Sequence, residues 1–281
     1  MELKEYYAGV DIGSTMTKVV IMNRGIASAI IGPTGAEQRR LADQVMKKAL
    51  KEAGVSFDSL IYIVATGYGR INVPFADRQI TEISCHAKGV SYFFPESEMC
   101  IDIGGQDSKG IRIRDGKPVD FVMNDKCAAG TGRFLEITAD ALGIKVGEMG
   151  EIALASKSSV QISNLCTIFA EQEVVERLAD GVALNDLVAG ILESLAGRVS
   201  NMVKRLSVPK EIVVTGGVAK NAAIVDMLSR RLGCKAGVPP EPLITGAVGA
   251  AMIGKEIVEK AKKTGVKPEK KRRRLDKVKI F

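Results

Sequence analysis

The sequence contains a single histidine, His86, and its five cysteines include no Cys-x-x-Cys pair. An odd number of widely spaced cysteines does not predict a disulfide framework. With one histidine, a zinc site closed within one chain is not expected either. Each cysteine therefore has to be judged by its own surroundings, and they are Cys85, Cys100, Cys127, Cys166 and Cys234.

The chain also lacks a long apolar run. No stretch approaches the roughly 18–20 residues that a membrane-spanning helix needs. The first residues, 1–5, do not show the basic-then-apolar order of a signal peptide. We therefore expect a cytoplasmic protein that has no membrane partner.

The positive charge of the chain is concentrated at one end. The 281 residues carry a formal net charge of +7, with 46% hydrophobic and 26% charged residues, as in an ordinary globular protein. Residues 255–281 hold twelve Lys/Arg and four Asp/Glu, which leaves 28 basic and 29 acidic residues in 1–254. The basic tail, with its run at 270–274, is either a solvated end or a docking segment for an acidic partner or nucleic acid. A tail alone does not indicate a nucleic-acid-binding protein.

Two stretches of the chain share one strand–turn–strand pattern. Asp-Ile-Gly occurs at 11–13 and again at 102–104, and each copy opens a β-meander. This weak internal repeat predicts two related α/β halves, each with a mixed sheet flanked by helices. The predicted strands are Tyr7–Val10, Thr17–Met22, Ile26–Gly32, Leu60–Thr66, Met99–Ile101, Lys109–Arg114, Pro118–Met123 and Glu211–Thr215.

Amphipathic or small-residue-rich stretches predict the helices between these strands, and three of them end at Gly54, Gly143 and Gly181. They cover Leu41–Ala53, Thr131–Leu142, Cys166–Ala179, Asp186–Leu206 and Gly246–Lys263. His86 is expected on a further helix. We expect a first lobe at 1–94, on which helix 246–263 packs back, a second lobe at 95–245 and a flexible basic tail at 264–281.

Both Asp-Ile-Gly turns are suited to phosphate binding. In the first, the backbone N–H groups and hydroxyls of Gly13, Ser14 and Thr15 can face phosphate oxygens, and Lys18 supplies positive charge. Asp11 ends a strand and is suited to hold Mg²⁺ through water. One such turn is weak evidence, since it could be an ordinary hairpin turn.

The second turn makes the case stronger, because two such turns can clamp phosphates from both sides. It contains Asp102, Gly104, Gly105 and Gln106. A third turn, with Gly216, Gly217 and Asn221, follows a strand and would lie against the adenosine; alone it reads as a tight strand-to-helix connection. For water activation we select Asp102 and Gln106, because glutamine can orient a water molecule without being charged.

One nucleotide-binding match is rejected. Residues 249–256 resemble a Walker A loop, but Glu256 stands where Ser or Thr should bind magnesium and no strand precedes the segment. These glycines are interpreted as packing residues within a helix.

The three turns, in this order and in two related halves, resemble the actin, Hsp70 and sugar-kinase superfamily of ATPases. Residues 6–254 resemble, more specifically, the activators of 2-hydroxyacyl-CoA dehydratases and the ATPase subunits of benzoyl-CoA reductase. This resemblance implies two ribonuclease-H-like (actin-like) lobes with ATP and Mg²⁺ in the cleft between them. The segments that carry it are 65–70, 84–87, 102–107, 124–134 and the surroundings of Cys166.

In that family one [4Fe-4S] cluster is shared by a homodimer, and Cys127 and Cys166 match the positions of its ligands. The residues agree with this assignment: a cluster of this kind takes four thiolates, and two helix-start cysteines per chain are doubled by a two-fold axis. The small residues Ala128, Ala129 and Gly130 would leave room for the cluster. Ferredoxin or flavodoxin would be the electron donor, and an iron–sulfur dehydratase or reductase the partner.

The remaining thiols and the histidine are interpreted as structural. Cys100 lies in a predicted strand, Cys85 and Cys234 lack cluster-like surroundings, and His86 is expected to be a packed polar residue. Two other functions stay open from the residues alone. One is a small-molecule kinase of the same superfamily, which needs a carboxylate base, and the other is a scaffold, against which the short chain argues.

Overall fold

The computed structural model of the protein describes residues 5–158, 160–162, 166–270 and 275. The strands are β1 Tyr6–Ile12, β2 Met16–Met22, β3 Ile26–Pro33, β4 Leu60–Thr66, β5 Arg78–Gln79, β6 Met99–Ile103, β7 Ser108–Arg114, β8 Lys117–Asn124, β9 Glu211–Thr215 and β10 Lys235–Gly237. The helices are α1 Gln38–Ala53, α2 Glu82–Phe93, α3 Gly132–Leu142, α4 Met149–Leu154, α5 Thr167–Ala179, α6 Leu184–Val203, α7 Ala222–Leu232 and α8 Thr245–Thr264.

The predicted secondary structure is confirmed with small shifts at element ends. Strands Leu60–Thr66 and Glu211–Thr215 have the predicted bounds, whereas α1 begins three residues before the predicted Leu41. Gly54 and Gly143 end α1 and α3 with φ of 65° and 67°, the left-handed conformation that glycine adopts readily. The sequence patterns had not delimited the short elements α4, β5 and β10, or the bounds of α7.

The chain divides into two compact units. Unit 1 comprises Met1–Glu96, Arg114–Pro118 and Leu243–Phe281, and unit 2 comprises Ser97–Ile113 and Val119–Pro242. Each unit holds one five-stranded mixed sheet, so the predicted fold class of two mixed sheets flanked by helices is confirmed.

The sheet of unit 1 has the order β3-β2-β1-β4-β5. Strands β1, β2 and β3 are antiparallel neighbours, and β4 runs parallel to β1. Helix α8, near the end of the chain, packs against β1: a Cβ placed on Gly9 would lie 1.9 Å from the carbonyl oxygen of Ala247. The central strand and the last helix therefore meet backbone to backbone.

The Walker-like glycines lie in this same helix. A Cβ on Gly249 would lie 1.7 Å from the carbonyl oxygen of Cys85 in α2. No side chain fits at that distance, so the glycine permits close packing of two helices. The interpretation of this segment as packing glycines is confirmed.

Unit 2 repeats the arrangement around the order β10-β9-β6-β7-β8. Strands β6 and β7 are antiparallel, and β9 runs parallel to β6. The middle of its core is α6, whose buried side chains Leu187, Ile191 and Leu195 belong to one apolar cluster with Phe134 of α3. This cluster supports the chain segments that carry the second and third predicted turns.

Part of the basic tail returns to unit 1. The Tyr62 hydroxyl donates to the carbonyl oxygen of Glu269 at 2.9 Å, and Leu275 is buried in the unit 1 core. Residues 271–274, most of the predicted basic run, lie outside the described residues, as do 276–281.

Across the ranges that the structure describes, we find no helix whose length and apolar character would let it cross a membrane.

Candidate functional site

The first Asp-Ile-Gly turn joins β1 to β2 and places an aspartate beside a lysine. Asp11 and Lys18 are cross-strand partners, and Lys18 Nζ lies 3.1 Å from Asp11 Oδ2. The turn is closed by Gly13 N–H, which donates to the carbonyl oxygen of Met16 at 3.1 Å. Thr15 is exposed at its tip, and Ser14 is half-buried. The turn therefore presents hydroxyls at its tip, and at its base a carboxylate that is ion-paired with Lys18.

A buried imidazole lies close behind this turn. A Cβ on Gly246, in the first turn of α8, would lie 3.0 Å from His86 Nε2 and 3.1 Å from Asp11 Oδ2. The absence of a side chain at Gly246 thus lets the helix approach both groups. His86 is buried, as expected for a packed polar residue.

The second turn, between β6 and β7, holds a denser charge cluster. Lys109 Nζ lies 2.5 Å from Asp107 Oδ2 and 3.7 Å from Asp102 Oδ2. Asp102 Oδ1 accepts a hydrogen bond of 2.8 Å from the Thr215 hydroxyl. All four side chains are buried. The lysine and the hydroxyl thus serve as partners of the buried Asp102 carboxylate and fix its position.

Lys109 is a residue that the sequence analysis missed. Its signal was present, because both turns read Asp-Ile-Gly followed by four residues and then Lys, at 11–18 and 102–109. The register confirms the equivalence, since Asp102 pairs with Lys109 just as Asp11 pairs with Lys18.

The tip of the second turn contains Gly104, Gly105 and Gln106. Gly104 N–H donates to the carbonyl oxygen of Asp107 at 2.9 Å and closes the turn. Gln106 is exposed, so its amide is available to a ligand or a water molecule. The structure brings these residues together with Asp102, as the sequence analysis expected.

The third turn follows β9. Gly216 has a φ of 85°, and a Cβ on it would lie 2.3 Å from the carbonyl oxygen of Ile103. Gly217 begins a single 3₁₀ turn that leads to α7. Asn221 caps α7, because its Oδ1 accepts from the N–H groups of Ala223 and Ile224 at 3.1 and 3.3 Å. The structure thus gives Asn221 a capping role that the sequence analysis did not assign.

A groove of about 440 Å³ starts directly after this turn and runs along α7 and β10. Its volume is within the range of small-ligand pockets. The groove is lined by Ala219, Lys220, Ala222, Val225, Asp226, Ser229, Ala236 and Val238.

Cys127 is exposed and its backbone is fixed by one asparagine. Asn124 Nδ2 donates to the Cys127 carbonyl oxygen at 2.7 Å, and Cys127 N–H donates to Asn124 Oδ1 at 3.1 Å. Cys127 lies at a helix start, as expected, but this helix is the one-turn 3₁₀ helix Ala128–Gly130. The helix α3 begins five residues after Cys127, at Gly132.

The expected role of the small residues after Cys127 also needs correction. Ala129 and Gly130 are buried, and Ala129 belongs to the unit 2 core. A Cβ on Gly130 would lie 2.9 Å from Asn124 Nδ2. These two residues pack inside the unit, whereas Ala128 is partly exposed.

Cys166 is exposed at the N-cap of α5, so the prediction of a helix start is confirmed there. Its carbonyl oxygen accepts from Ala170 N–H at 2.9 Å. Burial raises the pKa of Cys85 to about 12 and also raises the pKa of Cys100, so both remain thiols. Cys127 and Cys166 are the two exposed cysteines of the chain.

Among the residues that the structure describes, no three His, Cys, Asp or Glu side chains group closely enough to hold a metal ion. The two exposed thiols are half of the set that a four-cysteine cluster requires. A cluster on these residues therefore needs ligands from a second chain.

A model of the BadF/BadG/BcrA/BcrD ATPase family matches residues 8–254. The chain is 42% identical to the 2-hydroxyisocaproyl-CoA dehydratase activator of Clostridioides difficile, over 92% of this chain and 98% of that protein. It is also 42% identical to the activator of lactoyl-CoA dehydratase of Anaerotignum propionicum, over 91% and 99% of the two chains.

Among solved structures, the activator of the 2-hydroxyisocaproyl-CoA dehydratase from Clostridium difficile with bound ADPNP superposes with a TM-score of 0.86. The two chains are 41% identical, with 92% of this chain and 97% of that chain covered. This similarity extends over both units and over all three predicted turns.

Proposed function

Because this chain belongs to the BadF/BadG/BcrA/BcrD ATPase family, we propose that it activates a partner iron–sulfur enzyme by reduction. The chain is an ATPase whose relatives activate 2-hydroxyacyl-CoA dehydratases. In the proposal, a homodimer accepts one electron from ferredoxin or flavodoxin. It passes this electron to a dehydratase or to a reductase of the benzoyl-CoA type, and ATP binding and hydrolysis drive the transfer.

The observation that carries the proposal is the exposure of Cys127 and Cys166 in the unit that also holds the Asp102 turn. A thiol with only a structural role is usually buried, as Cys85 and Cys100 are. Two exposed thiols in one unit of an ATPase therefore indicate that these thiols bind a ligand.

A [4Fe-4S] cluster fits this pair of residues. Two protomers related by a two-fold axis offer four thiolates, the number that such a cluster takes. The cluster, when bound, would supply one-electron redox chemistry. Cys127 is suited to hold it because Asn124 fixes both its N–H and its carbonyl group, and Cys166 because it caps α5.

The nucleotide is assigned to the glycine-rich turns. Gly13, Ser14, Thr15 and Lys18 would bind phosphate oxygens in unit 1, and Gly104 and Gly105 would do so in unit 2. Mg²⁺, when bound, would neutralise phosphate charge, and Asp11 and Asp102 would hold it through water. The uncharged amide of Gln106 would orient the attacking water. Gly216, Gly217 and Asn221 would border the nucleoside.

The free energy that drives electron transfer has to come from nucleotide binding. A ligand shifts a conformational equilibrium only by its difference in affinity for the two states. ATP must therefore bind more tightly to the form of the protein that passes the electron to the partner, and hydrolysis would restore the other form.

Anaerobic purification followed by iron analysis tests the proposal. We expect about two iron atoms and two sulfide ions per chain, with a brown absorption band that dithionite bleaches. Cys127→Ser and Cys166→Ser should each lose the iron and the dimer. Cys234→Ser is the matched control, because that partly buried cysteine has no assigned role, and it should keep both.

Two results would contradict the proposal. The first is anaerobic protein that binds ATP but contains no iron. The second is an unchanged iron content and dimer in Cys127→Ser and Cys166→Ser.

A further inference from the structure

The second phosphate turn is hydrogen-bonded from behind by the start of α3. Gly132 N–H donates to the Gly104 carbonyl oxygen at 2.8 Å, and Arg133 N–H donates to the Gly105 carbonyl oxygen at 2.8 Å. The first N–H groups of a helix have no partner within the helix. Here the carbonyl groups of the turn occupy them, so the helix start and the turn form one hydrogen-bonded piece.

Thr131 strengthens this connection with its side chain. Its hydroxyl, which is fully buried, lies 3.2 Å from the Gly105 carbonyl oxygen and 2.8 Å from the Ala128 carbonyl oxygen. It also accepts from Arg133 N–H at 3.3 Å as the N-cap of α3. One hydroxyl thus contacts the phosphate turn, the helix start and the residue that follows Cys127.

The start of α3 packs closely against its neighbours. A Cβ on Gly132 would lie 3.0 Å from the Gly104 carbonyl oxygen and 3.3 Å from Val218, which follows the Gly216–Gly217 turn. The start of α3 therefore touches both nucleotide turns of unit 2. A shift of either turn must move it, because a packed interior transmits displacement.

Only a short segment separates Thr131 from Cys127. It consists of the single 3₁₀ turn Ala128–Gly130, and Asn124 holds Cys127 at its other end. Four peptide units thus connect Cys127 to Thr131, with hydrogen bonds at both ends: Asn124 holds Cys127, and Thr131 holds the phosphate turn.

We infer that Thr131 is a positioning residue that couples the nucleotide state of the Gly104–Gly105 turn to the exposure of the Cys127 thiol. The inference rests on the proposed function in one respect, namely that this turn binds nucleotide phosphates. The inference goes beyond the proposed function because it identifies Thr131 as the residue through which the nucleotide state affects the Cys127 thiol. Coupling of this kind is a property of two sites and a connecting element, and it has to be measured as such.

The test uses the full-length chain, reduced and free of iron, so that both exposed thiols can be labelled. The rate of iodoacetamide alkylation at Cys127 is followed by peptide mass spectrometry, with and without saturating Mg²⁺ and ADPNP. We expect the nucleotide to change this rate about fivefold or more. Calorimetry on the same samples gives the nucleotide Kd independently.

Three variants locate the coupling. Thr131→Val removes the hydroxyl at nearly constant volume and should bring the rate ratio close to one, while nucleotide still binds. Thr131→Ser restores the hydroxyl and should restore the ratio. Thr138→Val is the matched control, since this buried threonine of α3 bonds only to carbonyl oxygens of its own helix, those of Phe134 and Leu135; it should keep the wild-type ratio.

A second measurement needs no threonine variant. Energetic coupling acts in both directions, so a bulky thioether on Cys127 should change the Kd for ADPNP. Cys166→Ser protein alkylated at Cys127 is compared with the same protein before alkylation, and we expect a change of about fivefold.

The outcomes separate the two proposals. If wild-type protein binds no nucleotide, the proposed function fails, and the coupling fails with it. If nucleotide binds but the Cys127 rate does not respond, or if Thr131→Val keeps the wild-type ratio, the coupling alone is overturned. An unchanged Kd after alkylation of Cys127 also overturns it.

Discussion

The two Asp-Ile-Gly turns share one backbone plan and differ in how each aspartate is held. In both units the aspartate ends a strand, and a lysine seven residues later pairs with it across the hairpin. In unit 1 the lysine contacts the aspartate directly, with Lys18 Nζ 3.1 Å from Asp11. In unit 2, Lys109 lies closer to Asp107, at 2.5 Å, than to Asp102, at 3.7 Å.

The similarity extends to the parallel strand beside each turn. Thr66 and Thr215 stand next to Asp11 and Asp102 in the register, and each is followed by a glycine with positive φ. The Thr215 hydroxyl donates to Asp102 and lies 3.4 Å from the Cys100 thiol, whereas the buried Thr66 hydroxyl has no hydrogen-bond partner among the described residues. Each turn is thus built from two strands of the same design with different polar partners.

The difference is one of charge. Counted as formal charges, one carboxylate and one lysine balance in the first turn, whereas two carboxylates and one lysine leave the second with an excess of one negative charge. In the proposed function, Asp102 would therefore hold Mg²⁺ and its water shell more strongly than Asp11.

Removing the two lysines should show the largest contrast. Lys109→Met leaves two buried carboxylates without their cation, and we expect a loss of about 3–5 kcal/mol in the free energy of unfolding. Lys18→Met removes a lysine that is more exposed than Lys109 and leaves one carboxylate rather than two, and about 1–3 kcal/mol is expected. Urea denaturation at pH 7 measures both. Equal losses would mean that the charge difference has no energetic consequence.

Substituting the two glycines should show that the shared backbone is equally strict. A Cβ on Gly67 would lie 2.4 Å from the Ile12 carbonyl oxygen, close to the value for Gly216. Each change to alanine should cost about 2–4 kcal/mol, because a left-handed backbone and a close contact add together. Gly143→Ala is the control, since Gly143 has a similar φ but open space around it; it should cost about 1 kcal/mol. Thermal melting of the three variants measures these losses. If only one of Gly67→Ala and Gly216→Ala destabilises the protein, the two turns are not equally restricted.

The two aspartates should differ in catalysis. Asp102→Asn removes the negative charge of the second turn, and kcat for ATP hydrolysis should fall about 100-fold or more. Asp11→Asn should lower kcat/KM about tenfold, mainly by raising KM, because Lys18 already balances the charge of that carboxylate. Steady-state kinetics with varied Mg²⁺ measures both, and the reverse order would exchange the assigned roles.

The two threonines should give the smallest effect. Thr215→Val removes the hydrogen bond to Asp102, and we expect a loss of about 1 kcal/mol together with a weaker response to Mg²⁺. Thr66→Val removes a buried hydroxyl that has no hydrogen-bond partner among the described residues, and should be neutral or slightly stabilising. Chemical denaturation of the pair decides this, and a larger loss for Thr66→Val would contradict the assignment of partners.

Local patterns predicted most of the fold and the frame of the site. Short apolar runs located β4 and β9, and glycines located the ends of α1 and α3. The repeated Asp-Ile-Gly identified both turns because the hairpin carries the aspartate and the glycine within three residues.

The missed features depend on contacts between distant segments. Lys109 lies within a strand, where a lysine usually points to solvent, and its burial depends on two aspartates in the same hairpin. Ala129 and Gly130 were expected to leave room for a ligand, but Asn124 and the unit 2 core occupy that space. The 3₁₀ turn after Cys127 likewise depends on Asn124, which no helical periodicity reveals.

The contact between Gly9 and Ala247 has a consequence for synthesis on the ribosome. The first strand of unit 1 packs against a helix that is translated more than 230 residues later, whereas nearly all of unit 2 lies between them. Unit 2 can therefore complete its core while unit 1 still waits for α8. The nascent chain exposes the face of β1 that packs on α8 until α8 has been translated, and chaperones would be expected to bind there first.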